Sequence, residues 1–225
     1  MSGPFIREKH LEYTPFVYPC LEKTYLPKVT LSEFQKDFLD VLKERRSVKQ
    51  LGGCAIEKLS EILFYAIKPY TICKDDYDMV VYQSASPSAG GRHPIDILVG
   101  FPGNEGRRLF LYEPLSHSLF RLDIPIEMQQ MFFHDINQTL PLGESILVWF
   151  SIQYMRTASK YTDYESLIWR DVGAQLCCLQ QVTRFVGLDS CPIGYLAEDT
   201  FGHLFNCNSL ISGGGMIIGS KEINK

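Results

Sequence analysis

The sequence predicts one α+β domain that is preceded by an extended arm. Segments with the period of strands and segments with the period of helices follow one another without the strict alternation of a parallel α/β sheet. The continuous apolar run ILVWF within residues 144–154 predicts a strand that is buried on both faces. The strongest helical pattern covers residues 167–187. We assign the arm to residues 1–30 and the single domain to residues 31–225.

Charge and composition exclude several classes of function. The formal net charge of the 225 residues is −4, and both signs are scattered along the chain without a basic stripe for nucleic acid. The charges in MSGPFIREKHLEY do not fit a secretory signal, and the longest apolar run is far shorter than the roughly 20 residues that span a bilayer. We therefore expect a cytoplasmic protein with neither nucleic acid nor membrane as a partner.

The seven cysteines predict neither a disulfide framework nor a metal site. Their number is odd, they are widely scattered, and no Cys-x-x-Cys spacing occurs. We expect unpaired thiols that pack as small apolar groups, and no metal.

The N-terminal part of the chain combines an extended segment with two helices. Residues 1–30 contain four prolines among tyrosines and phenylalanines, which predicts a segment that lies on another surface, such as a partner subunit. Ser32 is a suitable N-cap for the first helix, and Gln35 completes a capping box. That helix ends near KERRS at residues 43–47, and apolar residues at helical spacing predict a second helix over residues 55–67.

The remaining elements follow from the same two periodicities. RRLFLYEPLSHSLFRLD predicts a hairpin, because two apolar runs flank a Pro-Leu-Ser-His turn. The long helix is apolar enough that we expect it to be buried all round, in part against a second subunit, and Gly187 ends it. SGGGMIIG predicts a final strand after a glycine hinge. The other predicted elements are strands at residues 78–82 and 94–101 and a helix at residues 124–138.

Cations and a hydroxyl group cluster where the first helix ends. The segment KERRSVKQL contains Arg45, Arg46, Ser47 and Lys49. An arginine guanidinium binds phosphate bidentately, and a serine hydroxyl adds a hydrogen-bond donor, so these residues are candidate phosphate ligands. Alternatively, the cations only complement the negative end of the helix dipole.

Two loops are built from small residues. The first, SPSAGG, has almost no side chains, so a flat ligand can lie against its backbone. It lacks the glycine spacing of dinucleotide-binding and Walker loops. A second compact turn follows the long helix, and each loop by itself is equally compatible with an ordinary tight turn. The candidate binding residues in the two loops are Pro87, Ser88, Ala89, Gly90, Pro192, Ile193 and Gly194.

A lysine and a tyrosine follow the predicted buried strand. Lys160 and Tyr161 stand in ASKYTDYE, a few residues after that strand. A lysine beside a tyrosine at the end of a core strand is a candidate pair for proton transfer. Exposed Lys-Tyr dipeptides are common, so the pair alone leaves a role without catalysis open.

The order of these features resembles that of the nitroreductase-like flavoenzymes, whose motif near the N-terminus is similar to RRSVKQL in this chain. The resemblance implies a nitroreductase-like α+β sandwich, with an antiparallel-dominated sheet flanked by helices, and an interlocked homodimer that associates through the long helix. It also implies FMN at the subunit interface. The FMN phosphate would lie on Arg45, Arg46, Ser47 and Lys49, and the ring near the two small-residue loops; Lys221 completes the implied site.

Within that superfamily the chain is most similar to the azoline dehydrogenases. The matching segments are SPSAGGRHPIDILV, LYEPLSHSL and KYTDY. The resemblance implies FMN-dependent oxidation of thiazoline or oxazoline rings in a ribosomally made, modified peptide. It also implies cyclodehydratase subunits of a synthetase complex as partners. It makes Lys160 and Tyr161 catalytic, with Tyr161 as the preferred base and Lys160 orienting or tuning it, although the two roles can be exchanged.

Two departures from the family pattern leave the substrate open. The chain lacks a Tyr-Arg pair in TDYESLIWRDVG, and Arg92 and His93 stand where the family often has bulky apolar residues. One alternative function is that of an NAD(P)H-dependent nitroreductase or quinone reductase. Another is that of a flavin-binding scaffold subunit in a synthetase complex, without activity of its own.

Overall fold

The protein is described by a computed structural model that covers residues 3–30, 37–75 and 80–221. The strands within these ranges are β1 (Cys20–Tyr25), β2 (Thr71–Lys74), β3 (Val80–Gln83), β4 (Ile95–Phe101), β5 (Arg108–Glu113), β6 (Ser118–Leu122), β7 (Ile146–Ile152), β8 (Asp189–Ile193) and β9 (Ile211–Gly219). The helices are α1 (Phe38–Glu44), α2 (Ile56–Ile67), α3 (Ile126–Thr139), α4 (Met155–Ala158), α5 (Glu165–Phe185) and α6 (Glu198–Phe205).

Seven of these strands form one antiparallel sheet in the order β1-β6-β5-β4-β7-β9-β8. Strands β2 and β3 form a separate antiparallel hairpin. Helices α3 and α6 supply apolar side chains to the cluster on one face of the sheet, and α2 and α5 supply them on the other face. The predicted α+β sandwich with an antiparallel-dominated sheet is therefore confirmed.

Strand β7 shows why helices cover both faces. All seven of its residues are buried, as the apolar run in the sequence predicts. Leu147 and Trp149 belong to the apolar cluster with α3 and α6, whereas Val148 and Phe150 belong to the cluster with α2 and α5. Full burial of a side chain such as that of Phe150 contributes about 1.5–3 kcal/mol to stability.

Several other predicted elements are also confirmed. Helix α2 begins directly after Ala55, which has an extended backbone. Strands β5 and β6 form the predicted hairpin, and α3 is the predicted helix after it. Helix α5 ends as expected, because Gly187 follows it with a φ of +89°, a left-handed conformation that glycine adopts without a steric penalty.

The first helix begins later than predicted. Asp37 has an extended backbone, and its carboxylate accepts a hydrogen bond from the Leu39 amide at 2.7 Å. That geometry makes Asp37, and not Ser32, the N-cap of α1. Ser32 and Gln35 of the predicted capping box lie outside the described residues.

Two further predictions change in the structure. Gly213, Gly214 and Gly215 lie inside β9 and do not form a hinge before it. A Cβ atom on Gly215 would overlap the Val148 carbonyl and Trp149, so the missing side chain lets β9 approach β7. Helix α5 is buried on one face only, and Trp169 on its other side keeps 44% of its surface exposed in the single chain. Coverage of that second face by another subunit stays a prediction.

A buried hydrogen-bond network joins the N-terminal segment to α2 and to the β5–β6 turn. The Ser60 hydroxyl donates to the Pro27 carbonyl at 2.6 Å, so it must accept from Nε2 of His117 at 2.8 Å. Nδ1 of His117 then accepts from the Tyr112 hydroxyl at 2.8 Å. Burial lowers the pKa of His117 to about 4, which keeps the ring neutral and both nitrogens paired. The network therefore fixes the path of the arm over the domain.

Candidate functional site

The structure brings the Lys-Tyr pair and the first small-residue loop into contact. Lys160 and Tyr161 follow α4, just beyond the end of β7. A Cβ atom on Gly90 would lie 2.6 Å from the Tyr161 hydroxyl and 3.3 Å from Nζ of Lys160. Gly90 has a φ of +61° and is exposed. Two segments about 70 residues apart thus form one accessible surface, and a side chain at Gly90 would displace the Tyr161 hydroxyl.

Helix α5 holds the small-residue loop in place. The Ser88 hydroxyl donates to the Asp171 carboxylate at 2.5 Å, and the Ala89 amide donates to the same carboxylate at 3.2 Å. The Ser88 oxygen also accepts from the His93 amide at 2.8 Å. Burial raises the pKa of Asp171, and its hydrogen bonds with Ser88 and Ala89 oppose that rise. Ser88 and Ala89 therefore anchor the loop, whereas Gly90 presents bare backbone.

The N-terminal arm lies against the backbone of the Lys-Tyr pair. The Thr162 amide donates to the Phe5 carbonyl, the Arg7 amide to the Lys160 carbonyl and the Leu11 amide to the Ser159 carbonyl, each at 2.9 Å. The arm of this chain thus packs on its own domain beside the candidate catalytic pair. The further expectation that the arm touches a partner subunit stays a prediction. Strand β1 also belongs to this segment and joins the sheet by pairing with β6.

Charged residues that the sequence did not single out surround Lys160. Nζ of Lys160 lies 3.7 Å from Oδ2 of Asp75, at the end of β2. Nη2 of Arg92 donates to the same oxygen at 2.9 Å. Arg92 is only 5% exposed. In the sequence, Arg92 stands out only as a departure from a family pattern and as a cation beside a loop of small residues. No pattern in the sequence indicates Asp75.

The candidate phosphate ligands form a second group. Ser47 pairs with Ser190 at the start of β8, and Leu51 pairs with Lys221 just beyond β9. These two bridges place the segment from Arg45 to Lys49 and the backbone of Lys221 along the same end of the β8–β9 pair. Within the described ranges, none of the ion pairs involves Arg45, Lys49 or Lys221.

The two adjacent arginines differ in their hydrogen bonds. Nη1 of Arg46 donates to the Lys43 and Arg45 carbonyls, both at 2.7 Å. These carbonyls belong to the last turn of α1 and to its C-cap. These contacts of Arg46 match the alternative in which a cation complements the helix end, and a role of either arginine in binding phosphate stays a prediction.

The two groups of candidate residues lie at different positions along α5. Near its start, Asp171 holds Ser88. Near its end, Arg184 pairs with Glu44 at 3.1 Å, next to Arg45 in the chain. These contacts are thirteen residues apart on the helix, or about 20 Å. In β8, Ile193 is buried in the core, so of the second loop mainly Gly194 is exposed. One chain thus holds the candidate residues as two separate groups.

Solved structures share this architecture. A putative nitroreductase from Ralstonia eutropha superposes with a TM-score of 0.68, over 96% of this chain and 99% of that chain, at 14% sequence identity. The chain has the nitroreductase fold. The E. coli microcin synthetase McbBCD complex, with truncated pro-MccB17 bound, contains a chain that matches with a TM-score of 0.60 at 14% identity, over 97% of this chain and 79% of that one.

A nitroreductase-fold protein with its cofactor is also among the similar structures. A putative nitroreductase from Desulfovibrio desulfuricans, solved in complex with FMN, matches with a TM-score of 0.50 at 12% identity, over 85% of this chain and 92% of that chain. No protein-family model and no curated protein matches the sequence. The similarity of this chain to known proteins is therefore one of fold, and the resemblance recognised in its motifs is confirmed at that level.

The described residues provide neither a grouped set of metal ligands nor a membrane-spanning helix. No three His, Cys, Asp or Glu side chains in the described part of the nitroreductase fold are grouped to hold a metal ion. No helix in that part is long and apolar enough to cross a membrane.

Replacing Gly90 with alanine tests the contact at the centre of the site. A Cβ atom 2.6 Å from the Tyr161 hydroxyl is closer than the 3.0 Å below which Cβ contacts are essentially never seen, so the hydroxyl must move. We expect a crystal structure of Gly90→Ala to show Tyr161 displaced. The positive φ should also lower the free energy of unfolding by about 1–2 kcal/mol.

Gly187→Ala is the matched control. Gly187 also has a positive φ, +89°, but nothing lies within 4 Å of its added Cβ atom. It should show the same loss of stability with Tyr161 in place. An unmoved Tyr161 hydroxyl in Gly90→Ala would contradict the described contact.

Proposed function

We propose that this chain is an FMN-dependent dehydrogenase that oxidises thiazoline or oxazoline rings in a modified peptide. The observation that supports this proposal most directly is the contact of Lys160 and Tyr161 with the exposed, glycine-centred loop on a nitroreductase fold. In this proposal, the two side chains would transfer the proton beside a flat cofactor that lies on the loop. The chain in the microcin synthetase complex supports a synthetase context, with cyclodehydratase subunits as proposed partners.

The residues present fit FMN. Arg45 and Lys49 are cations outside the ion pairs of the described residues, the Ser47 hydroxyl lies between them in sequence, and Lys221 is brought alongside by the bridge to Leu51. Such a set suits a phosphate group. The backbone at Gly90 is exposed and carries no side chain, which suits a flat flavin ring. Bound FMN would supply the acceptor for a hydride, which is redox chemistry that amino-acid side chains lack.

Side chains of the protein would handle the proton. Converting an azoline to an azole removes two hydrogens, one as a hydride and one as a proton from the neighbouring ring carbon. The Tyr161 oxygen is placed at the loop surface to accept that proton. Lys160 lies next to it, with Nζ 5.8 Å from the centre of the Tyr161 ring, where its charge can orient the phenol oxygen. The exchange of these two roles stays open.

We further propose that the active form is a homodimer in which each FMN contacts both chains. In one chain, the contacts that link the candidate phosphate ligands and the Lys-Tyr surface to α5 lie about 20 Å apart along the helix. That distance is greater than the length of the ribityl chain that joins a flavin ring to its phosphate. Exposed apolar side chains also require cover: Phe38 is 62% exposed, Leu39 60%, Leu42 44% and Trp169 44%.

NAD(P)H-dependent reduction of nitroaromatic compounds is the second candidate function. The description of the Ralstonia eutropha protein as a putative nitroreductase favours it. This activity would consume NAD(P)H with a nitroaromatic acceptor and would not need Lys160. Assays of both reactions on the same purified protein therefore distinguish the two candidates.

The proposed cofactor can be tested at Arg45. The purified protein should be yellow and release FMN, and Arg45→Ala should weaken FMN binding about 10- to 100-fold, because it removes a charge-assisted phosphate contact worth about 1.5–3 kcal/mol. Flavin fluorescence after gel filtration measures the loss. Arg46→Ala is the control, since that guanidinium already bonds two carbonyls of its own chain, and it should keep the flavin. A colourless wild-type protein that does not take up FMN would refute the proposal.

The proposed catalytic pair is tested by Lys160→Ala and Tyr161→Phe. Both variants should retain FMN, yet each should oxidise an azoline peptide about 100-fold or more slowly, the usual contribution of a general base. The two effects should not add, because the residues act as a unit. Mass spectrometry measures the loss of two hydrogens per ring. Oxidation at the wild-type rate in both variants would make the pair structural, and loss of FMN would assign the pair to the cofactor site.

Complementation tests the two-chain site. Arg45→Ala and Tyr161→Phe chains with different affinity tags are coexpressed, and the mixed dimer is isolated. If Arg45 of one chain and Tyr161 of the other serve the same FMN, one of the two sites is intact and about half the wild-type activity returns. A dimer of two differently tagged Arg45→Ala chains is the inactive control. An inactive mixed dimer would show that each chain builds its own site.

A further inference from the structure

One carboxylate oxygen beside the candidate catalytic lysine is shared by two cations. Oδ2 of Asp75 accepts a hydrogen bond from Nη2 of Arg92 at 2.9 Å and lies 3.7 Å from Nζ of Lys160. The exposed fractions of the side chains are 13% for Asp75, 2% for Arg92 and 15% for Lys160. The carboxylate is thus a fixed link between a deeply buried cation and a cation at the site.

Arg92 is positioned by the same loop that presents Gly90. Gly90 and Gly91 have φ angles of +61° and +66°, and the Arg92 amide then donates to the Ala89 carbonyl at 3.3 Å. This tight turn directs Arg92 inward, beneath the surface that Gly90 forms with the Lys-Tyr pair. The loop and the buried cation are therefore one structural unit.

The buried guanidinium depends on Asp75. Its Nε and Nη1 atoms have no hydrogen-bond partner among the described residues, and its Nη2 lies 3.5 Å from Nδ1 of His10. Burial and the Arg92 charge lower the pKa of His10, and an imidazole ring, neutral or protonated, provides no negative charge to balance Arg92. A buried cation is costly unless it is paired, so the Arg92 pair holds the end of β2 at this place.

We infer that Asp75 and Arg92 are positioning residues for Lys160: they hold its ammonium group over the Gly90 loop, where the proposed azoline oxidation needs it. This inference rests on the proposed function for its catalytic consequence. It assigns a role to Arg92, which replaces a bulky apolar residue of the family pattern, and to Asp75 in the β2–β3 hairpin. Without the carboxylate, the ammonium group of Lys160 would lose the charge that holds it and would move away from the loop.

The test separates positioning from stability with two variants. Asp75→Asn should lower kcat for the azoline peptide about 10- to 100-fold with KM and FMN content unchanged, because a misplaced group slows the reaction without weakening binding. It should also destabilise the protein, because Arg92 loses its partner. The double variant Asp75→Asn/Arg92→Met removes the unpaired charge and should regain stability while staying slow. Recovery of wild-type kcat in the double variant would overturn the inference, since the pair would then be structural only.

A double-mutant cycle ties the effect to Lys160. In a Lys160→Ala background, Asp75→Asn should cause no further loss of kcat, since the residue it positions is absent. Independent, additive losses would contradict the inference. Glu105→Gln is the control, because it removes a carboxylate from the exposed ion pair with Arg108, 3.3 Å long, and it should leave kcat unchanged.

A second readout keeps the inference testable if the wild-type protein, with FMN bound, does not oxidise an azoline peptide. Acetylation of Lys160 by an amine-reactive reagent is then measured by peptide mass spectrometry. Its rate should rise at least severalfold in Asp75→Asn, relative to the other lysines, because the amine is released from its carboxylate. An unchanged rate would overturn the positioning role; absent azoline oxidation with a raised rate would refute only the proposed substrate.

Discussion

Burial of β7 on both faces is the constraint on which the rest of the structure depends. A strand whose seven residues are all buried needs apolar cover above and below, and α3 with α6 and α2 with α5 provide it. Because β7 pairs with β4 from Ile95↔Ile152 onward, the chain leaving β7 emerges beside the chain entering β4. That adjacency brings the Lys-Tyr pair after β7 to the small-residue loop before β4.

The sequence predicts those elements whose periodicity reflects burial. The run in β7 is apolar throughout because both of its faces are buried, and the β5–β6 hairpin and α2 carry apolar residues at the spacing of their buried faces, so the pattern alone identifies these elements. Strand β1 escaped prediction because its six side chains are all exposed and only its backbone pairs with β6. The glycines of β9 predict a hinge because glycine usually marks a turn, whereas in the structure the close approach of β7 requires Gly213 and Gly215.

The sequence indicates which residues belong to the candidate site, but it does not indicate which of them are in contact. Local patterns singled out Lys160, Tyr161 and Gly90, yet nothing in them shows that a Cβ atom on Gly90 would touch the tyrosine hydroxyl. Arg45 and Arg46 look alike in sequence, and only their hydrogen bonds separate a helix-end cation from an available one. Ion pairs between distant segments leave no periodic signal, so the Asp75 carboxylate between Arg92 and Lys160 required coordinates.

The candidate phosphate ligands and the Lys-Tyr surface lie at different positions along α5. In the proposed homodimer, this separation would connect FMN binding with the association of the two chains. In the proposed homodimer, a flavin held by both chains binds only the associated state, so ligand and subunit stabilise each other by mass action. The apolar side chains exposed on α1 then contribute to cofactor retention without touching the cofactor. The Lys-Tyr surface differs in this respect, because the arm, α5 and Asp75 hold it from within its own chain. In this proposal, one chain holds the side chains for proton transfer, whereas two chains together bind FMN.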